Sequence, residues 1–181
     1  MDKIERVKRE LKFHGKIVDF YQDTVRLPDG REAIWDLIDH KGAAAVVPVR
    51  EDGKILMVRQ YRSALDRFTL ELPAGAKNGR EEPAEVCAAR ELEEETGYAC
   101  RKLTHLIDVN TTVAFCTERI GVFLAEDLVK TQQHLDDDEY VEPEAWELDD
   151  LLEKIYAGEM TDGKTIAGLC AYAVKRMRGE A

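Results

Sequence analysis

The sequence predicts an α/β fold of the α+β kind: a mixed sheet with flanking helices, preceded by an N-terminal antiparallel β segment. Three observations carry this reading. Strand-like patterning dominates the first third of the chain. A continuous small-apolar run, Ala43 to Val49, has the composition of a buried strand. Three later segments repeat apolar residues at helical spacing. Lys16 to Tyr21 alternates loosely, and the turn signal Leu27-Pro28-Asp29-Gly30 precedes a second strand from Glu32 to Ile38, so the two form a hairpin. The turn Glu51-Asp52-Gly53 separates Ala43 to Val49 from the strand Ile55 to Gln60, which predicts a meander feeding the mixed sheet. Glu82 to Thr96 reads as helix, with Pro83 suited to the first turn and Gly97 to the C-terminal cap. Leu103 to Val109 and Arg119 to Ala125 read as strands, and Glu139 to Glu147 as a strand running into a turn. Asp149 to Ala157 and Thr165 to Arg178 read as helices.

With 181 residues, the chain suits one domain, or one domain with a small appendage. No apolar run approaches the roughly 18–20 residues that span a bilayer, and the charged first ten residues lack the apolar stretch of a signal peptide. The expectation is a cytoplasmic protein. A net charge of −11 argues against a nucleic-acid binder, which needs a basic stripe, but not against a small anionic substrate held by a local cation or metal. Cys87, Cys100, Cys116 and Cys170 form no C-x-x-C pair, so a zinc site is not indicated. Cys87 and Cys170 fall on apolar stripes and read as core thiols.

The segment Leu72 to Tyr98, LPAGAKNGREEPAEVCAARELEEETGY, carries most of the functional information. On a helix at 100° per residue, Ala84, Cys87 and Ala88 form one small-residue stripe, and its continuation is Glu91, Glu94 and Glu95. Glu93 points roughly the opposite way. An acidic run on a helix is more often a solvated face, where like charges three or four apart cost only about 0.2–0.5 kcal/mol per pair. Here the stripe that faces inward at the start of the helix becomes carboxylate at its end. Buried unpaired carboxylates cost several kcal/mol each, and a divalent cation removes that cost. Clustered oxygens suit magnesium, which keeps some of its waters and binds substrate phosphates.

These residues resemble the Nudix box. Gly75 opens the pattern, seven residues separate Glu82 from Arg90, and Arg90-Glu91-Leu92-Glu93-Glu94-Glu95-Thr96-Gly97-Tyr98 fits at every fixed position. Six residues rather than five separate Gly75 from Glu82, an insertion that the Asn78-Gly79 turn can absorb. Arg59-Gln60-Tyr61-Arg62, Glu71-Leu72-Pro73-Ala74-Gly75, Gly42 to Pro48 and Asp137 to Glu142 extend the likeness to the ADP-ribose pyrophosphatase branch, over roughly residues 30 to 175.

The resemblance implies a Nudix α/β/α sandwich over residues 41–181 and a β-rich subdomain over 1–40. In this branch that subdomain is commonly exchanged across a homodimer. The implied reaction is Mg²⁺-dependent hydrolysis of the pyrophosphate bond of ADP-ribose, or a related nucleoside diphosphate sugar, to AMP and ribose 5-phosphate. Mn²⁺ is the substitute cation. The resemblance gives Glu91, Glu94, Glu95 and the Ala74 carbonyl to the metal. Glu139 becomes the base or extra ligand, with Asp138 and Glu142 as competitors. Arg90 braces the carboxylates, and Gly75 and Gly97 serve backbone geometry. On the substrate side stand Arg62 for phosphate, Trp35 for stacking on adenine, and Glu118. Val113-Ala114 stand where ADP-ribose hydrolases of the family carry Pro-Gly. GDP-mannose, other nucleotide sugars, dinucleotides and oxidised nucleotides therefore stay open as substrates. So does a Nudix-like ligand sensor without turnover.

Overall fold

A computed structural model describes residues 3–135 and 139–180. The chain divides into two compact units. One comprises the residues up to Gly42 together with Asn110–Arg119, and the other Ala43–Val109 with Ile120–Ala181.

The first unit is a three-stranded antiparallel sheet of β1 (Glu5–His14), β2 (Asp19–Arg26) and β3 (Glu32–Asp39) in the order β1-β2-β3. The expected hairpin is present. Its turn closes through the Gly30 amide donating to the Leu27 carbonyl at 2.9 Å, and the Arg31 amide donating to Asp29 Oδ1 at 3.1 Å. β1 was not expected. Its sequence, ERVKRELKFH, is too charged to read as a buried strand, and it is exposed along almost its whole length. What fixes it is the ladder to β2 and a two-pronged bond from Arg9 to Asp23 at 2.7 and 2.6 Å. That bond holds the Asp23 carboxyl below its usual range. The segment 110–119 joins this unit through the Ile38 amide donating to the Phe115 carbonyl and the Thr117 amide donating to the Ile38 carbonyl.

In the second unit, β4 (Ala43–Pro48) is the central element. It pairs antiparallel with β7 (Ala74–Ala76) and parallel with β9 (Arg119–Lys130), and β8 (Tyr98–Asn110) completes a mixed sheet in the order β7-β4-β9-β8. A second sheet, wholly antiparallel, runs β10-β5-β6 from β5 (Ile55–Arg62), β6 (Arg67–Glu71) and β10 (Val141–Trp146). This overturns the meander expected from residues 43–60. β4 and β5 lie in different sheets, and the ladder between them is reduced to an isolated bridge between Val49, just past β4, and Ile55.

Strand side chains alternate between faces, and the central sheet uses both. Ala44 and Val46 of β4, with Phe123 and Ala125 of β9, pack against Cys87, Ala88 and Leu92 of α1 (Ala84–Thr96). Ala45, Val47, Val122 and Leu124 on the other face join Ile55 and Met57 of β5, Leu151 of α2 (Leu148–Tyr156) and Leu169 of α3 (Gly163–Met177). The result is the α/β/α sandwich. Fully burying each Val or Leu in these clusters is worth about 1.5–3 kcal/mol. The small residues of β4 and of the first turns of α1 let helix and sheet approach closely.

Asp162 caps α3 by accepting the Thr165 amide at 3.1 Å, so the helix begins at Gly163, two residues before the expected start. Thr165, Leu169 and Tyr172 face inward at helical spacing. Cys170 lies off that stripe and is exposed, which corrects its expected role as a core thiol, whereas Cys87 is fully buried. Among the described residues, no helix is long and apolar enough to cross a membrane.

Candidate active site

α1 places the acidic residues. Its inward face runs Cys87, Ala88, Glu91, Leu92 and Glu95, all buried. The expected stripe is therefore present at Glu91 and Glu95, flanked by Leu92, while Glu94 lies at the edge, half-buried. The helix ends at Gly97, whose φ of 70° is left-handed and whose amide donates to the Glu93 carbonyl at 2.9 Å. The chain after β9 then crosses this end. The His134 amide donates to the Glu94 carbonyl at 3.0 Å, Gln133 Nε2 to the Glu95 carbonyl at 2.7 Å, and the Thr131 amide to the Gly97 carbonyl at 2.7 Å. These bonds satisfy carbonyls that a helix end leaves without partners. Gln133 carried no signal for this role in the sequence.

Two carboxyl groups on α1 are buried. Glu95 is 3% exposed, and its Oε2 accepts the Ala74 amide at 2.9 Å. Glu91 is 7% exposed and lies against β7, where a Cβ on Gly75 would run into its carboxylate. Burial pushes both groups up, Glu91 to about 7 and Glu95 to about 8. Glu139 adds to both shifts, so its charge faces the helix.

Arg90 answers part of this negative charge. One guanidinium nitrogen donates to Glu91 Oε1 at 2.7 Å and to Glu94 Oε2 at 2.8 Å, and another donates to the Ala76 carbonyl at 3.1 Å. Glu82, 3.6 Å from Arg90 Nε, also accepts the Asn78 amide at 2.6 Å and so ties the loop after β7 to the helix. Arg90 thus reaches Glu82, Glu91, Glu94 and the strand backbone at once, a span that the planar five-donor guanidinium permits.

The donor set at the end of α1 is all oxygen, which suits a hard divalent cation. Among the described residues, no three His, Cys, Asp or Glu side chains already converge as a ligand cage. A magnesium-type site does not need one, because such ions bind through one or two carboxylates, water and substrate phosphates. Buried Glu91 and Glu95 carboxylates raised to near neutrality are groups whose charged form a cation would stabilise. The residues present therefore fit such an ion.

The other expected residues are placed as follows. Arg62 Nε and Nη2 make a fork to Glu71 at 2.8 and 2.7 Å. Ala74 donates its amide to Glu95 and pairs with Ala45 across the ladder. Glu142 stands opposite Arg59 in the β5–β10 ladder. Asp138 lies outside the described residues. Trp35 is 46% exposed on β3 and lines an open groove of about 620 Å³ with Phe20, Ile34, Leu37 and Phe115. Glu118 Oε1 is 3.3 Å from His40 Nδ1, and both belong to the first unit. Sequence reasoning missed that Glu71, the partner of Arg62, also accepts from Thr69 and Lys164. For Lys164, the Asp162-to-Thr165 capping spacing was a signal that pointed toward that region.

Residues 39–168 match the family model described as the NUDIX domain. The ADP-ribose pyrophosphatase of Bacillus subtilis is 41% identical, with 95% of this chain and 91% of that protein covered. The methanol dehydrogenase activator of Bacillus methanolicus is 38% identical, with 88% and 87% covered. A crystal structure titled as an ADP compounds hydrolase superposes with a TM-score of 0.86 over 100% of this chain and 98% of that one, at 16% identity, a likeness of fold. With the box residues gathered at the end of α1 and the family model spanning most of the chain, the protein belongs to the Nudix family.

Proposed function

We propose that the protein hydrolyses the pyrophosphate bond of ADP-ribose, or of a related nucleoside diphosphate sugar, releasing AMP and ribose 5-phosphate. The observation that carries this is the buried Glu91–Glu95 pair beside β7, braced by Arg90, in a chain 41% identical to an ADP-ribose pyrophosphatase. Nudix hydrolases generally depend on a divalent metal, and Mg²⁺ is the cation proposed here, with Mn²⁺ as substitute. Glu91, Glu94, Glu95 and the Ala74 carbonyl would hold it. A cation held there would stabilise the diphosphate charge and acidify water.

The remaining work falls to the chain's own side chains. Arg90 bridges Glu91 and Glu94 through one nitrogen and orients them. Glu139, whose charge is felt by both buried carboxylates, is the proposed base that takes the proton from the attacking water. Glu142 is the weaker competitor, since it stands opposite Arg59 in the ladder. Arg62 binds Glu71 through Nε and Nη2 and is proposed to present its outward edge to a phosphate oxygen. Trp35, with its exposed indole on an open apolar groove, is proposed to stack on the base, and Glu118 to meet the substrate.

A homodimer and cytoplasmic residence complete the reading, with residues 1–40 as the dimer-side and substrate-side subdomain and 41–181 as the hydrolase domain. Exposed Phe13, Ile17 and Ile34 on the first unit support a protein partner for that unit.

The test is product analysis of ADP-ribose incubated with Mg²⁺, comparing native protein with Glu94→Gln. Magnesium-dependent AMP and ribose 5-phosphate, strongly reduced in the variant, is the expected result. No turnover by folded native protein would reject ADP-ribose and turn the assay to other nucleotide sugars. Inertness toward those as well would favour a ligand sensor.

A further inference from the structure

Glu71 is a carboxylate 2% exposed at the end of β6, yet it is held fully charged. Burial alone would raise its pKa. Four donors outweigh burial and bring it down to about 2. Two are the fork from Arg62, at 2.8 and 2.7 Å. The Thr69 hydroxyl donates at 2.7 Å, and Lys164 Nζ at 2.5 Å. Arg62 and Thr69 come from the same antiparallel pair, β5 and β6. Lys164 comes from the first turn of α3, far away in sequence.

That first turn is itself pinned. Asp162 Oδ2 lies 2.9 Å from Lys164 Nζ and also accepts the Thr165 amide, capping the helix. The Thr165 hydroxyl accepts the Leu72 amide at 2.9 Å. The start of α3 therefore grips Glu71 and Leu72, which Pro73 joins to Ala74 and Gly75. Both cations lie within electrostatic reach of Glu95, since its charge raises the Arg62 pKa and Lys164 lowers that of Glu95.

Lys164 acts on Arg62 through geometry rather than net charge, because Asp162 offsets its ammonium. Its bond to Glu71 Oε2, the oxygen that also accepts Arg62 Nη2, ties the carboxylate to α3 as well as to β5. With Glu71 held from both elements, the Arg62 fork is held in one orientation and its outward edge is left for an anion. Lys164, with a side chain only 11% exposed, is itself poorly placed to meet substrate.

We infer that Lys164 is a positioning residue: through Glu71 it fixes the Arg62 guanidinium in the orientation that meets the diphosphate of the substrate. The inference rests on the proposed reaction and its phosphate contact at Arg62.

The experiment measures the affinity of α,β-methylene ADP-ribose, an uncleavable analogue, by calorimetry with Mg²⁺. It uses native protein, Lys164→Met, Lys164→Arg, Arg62→Ala and the double variant Lys164→Met/Arg62→Ala. Each is checked for cooperative melting, and Lys164→Gln replaces the Met variant if that one does not fold. KM and kcat for ADP-ribose are measured alongside. Lys164→Met should weaken analogue binding about tenfold, within the roughly 100-fold that a misplacement of 1 Å can cost. KM should rise more than kcat falls. Lys164→Arg should restore most of the affinity, and in the Arg62→Ala background the Met substitution should add nothing. The Arg62 Nε–H resonance of ligand-free protein should be sharp in native enzyme and broadened in Lys164→Met. Unchanged affinity in Lys164→Met, or an effect equally large without Arg62, would overturn the positioning role. Native protein that binds the analogue but cleaves no ADP-ribose would count against the proposed reaction, while the affinity cycle would still decide the role of Lys164.

Discussion

The Glu91 carboxylate occupies the space that a side chain on Gly75 would need. This gives the glycine that opens the box a steric reason: the strand backbone and the helix carboxylate are in van der Waals contact. Gly75→Ala must displace either β7 or Glu91. Overpacking of this kind typically costs about 1–3 kcal/mol. The expected outcome is a lowered melting temperature together with a fall in ADP-ribose turnover of about 100-fold, the scale of a 1 Å misplacement. Turnover within twofold of native would mean that the carboxylate moves aside freely and that its position against β7 has no bearing on the reaction.

The Glu95 carboxyl lies in a place that does not favour its charged form. It is buried, it accepts a hydrogen bond from the Ala74 amide, and Glu91 and Glu139 repel its charged form. In metal-free protein near pH 8, Glu95→Gln removes that charge while the amide oxygen can still accept the Ala74 N–H. The variant should therefore be more stable than native protein by about 1–3 kcal/mol, and inactive. Thermal melting with a chelator present, paired with a turnover assay, checks both halves. A metal-free variant less stable than native would show that the carboxylate is well accommodated without a cation.

The sequence made the acidic helix legible, since three local signals agree there: the small-residue stripe, its continuation as carboxylates, and Gly97 at the end. The β2–β3 hairpin was legible for the same reason, an Asp-Gly turn between strands. Pairing between distant strands was not. Ala43 to Val49 and Ile55 to Gln60 each read correctly as strands, but β4 takes Ile120 to Ala125 as its parallel partner and β5 takes Val141 to Trp146. Nothing local distinguishes that arrangement from a meander. β1 escaped because a two-sided exposed strand has no hydrophobic period to detect. At the site, Arg62 reads as an arginine at a strand end whether its guanidinium faces solvent or grips Glu71. The Asp162–Thr165 cap announces a helix start without saying what the Lys164 ammonium will meet.

Arg90 is the hinge between the acidic groups and the strand backbone. Arg90→Lys keeps a positive charge but loses the flat fork, so one ammonium cannot serve Glu91, Glu94 and the Ala76 carbonyl together. ADP-ribose turnover should fall about 10–100-fold, the usual cost of losing a partner that orients metal ligands. Stability should fall only modestly, by about 1 kcal/mol, because the guanidinium is partly exposed. Melting curves and steady-state kinetics on the same preparation separate the two effects. A stability loss of several kcal/mol with turnover preserved would place Arg90 in folding rather than in carboxylate orientation.

Glu71 should make the stability of the protein fall with acid in one window. Its folded pKa lies at about 2, against 4.5 for the free group. For a carboxylate with a depressed pKa, the folded state binds fewer protons than the unfolded state between those two values. Its stabilising contribution is thus fully present above about pH 4.5 and disappears as the pH falls toward 2. The difference corresponds to about 3 kcal/mol. Glu71→Gln loses this contribution and leaves Arg62 and Lys164 facing a neutral amide. The variant should be less stable than native protein at pH 7, and the gap should narrow steadily below pH 4.5, nearly closing toward pH 2. Urea unfolding at pH 7, 4.5 and 3 measures the gap directly. A gap independent of pH would mean that Glu71 acts by packing alone and that its ion pairs with Arg62 and Lys164 contribute nothing to folding.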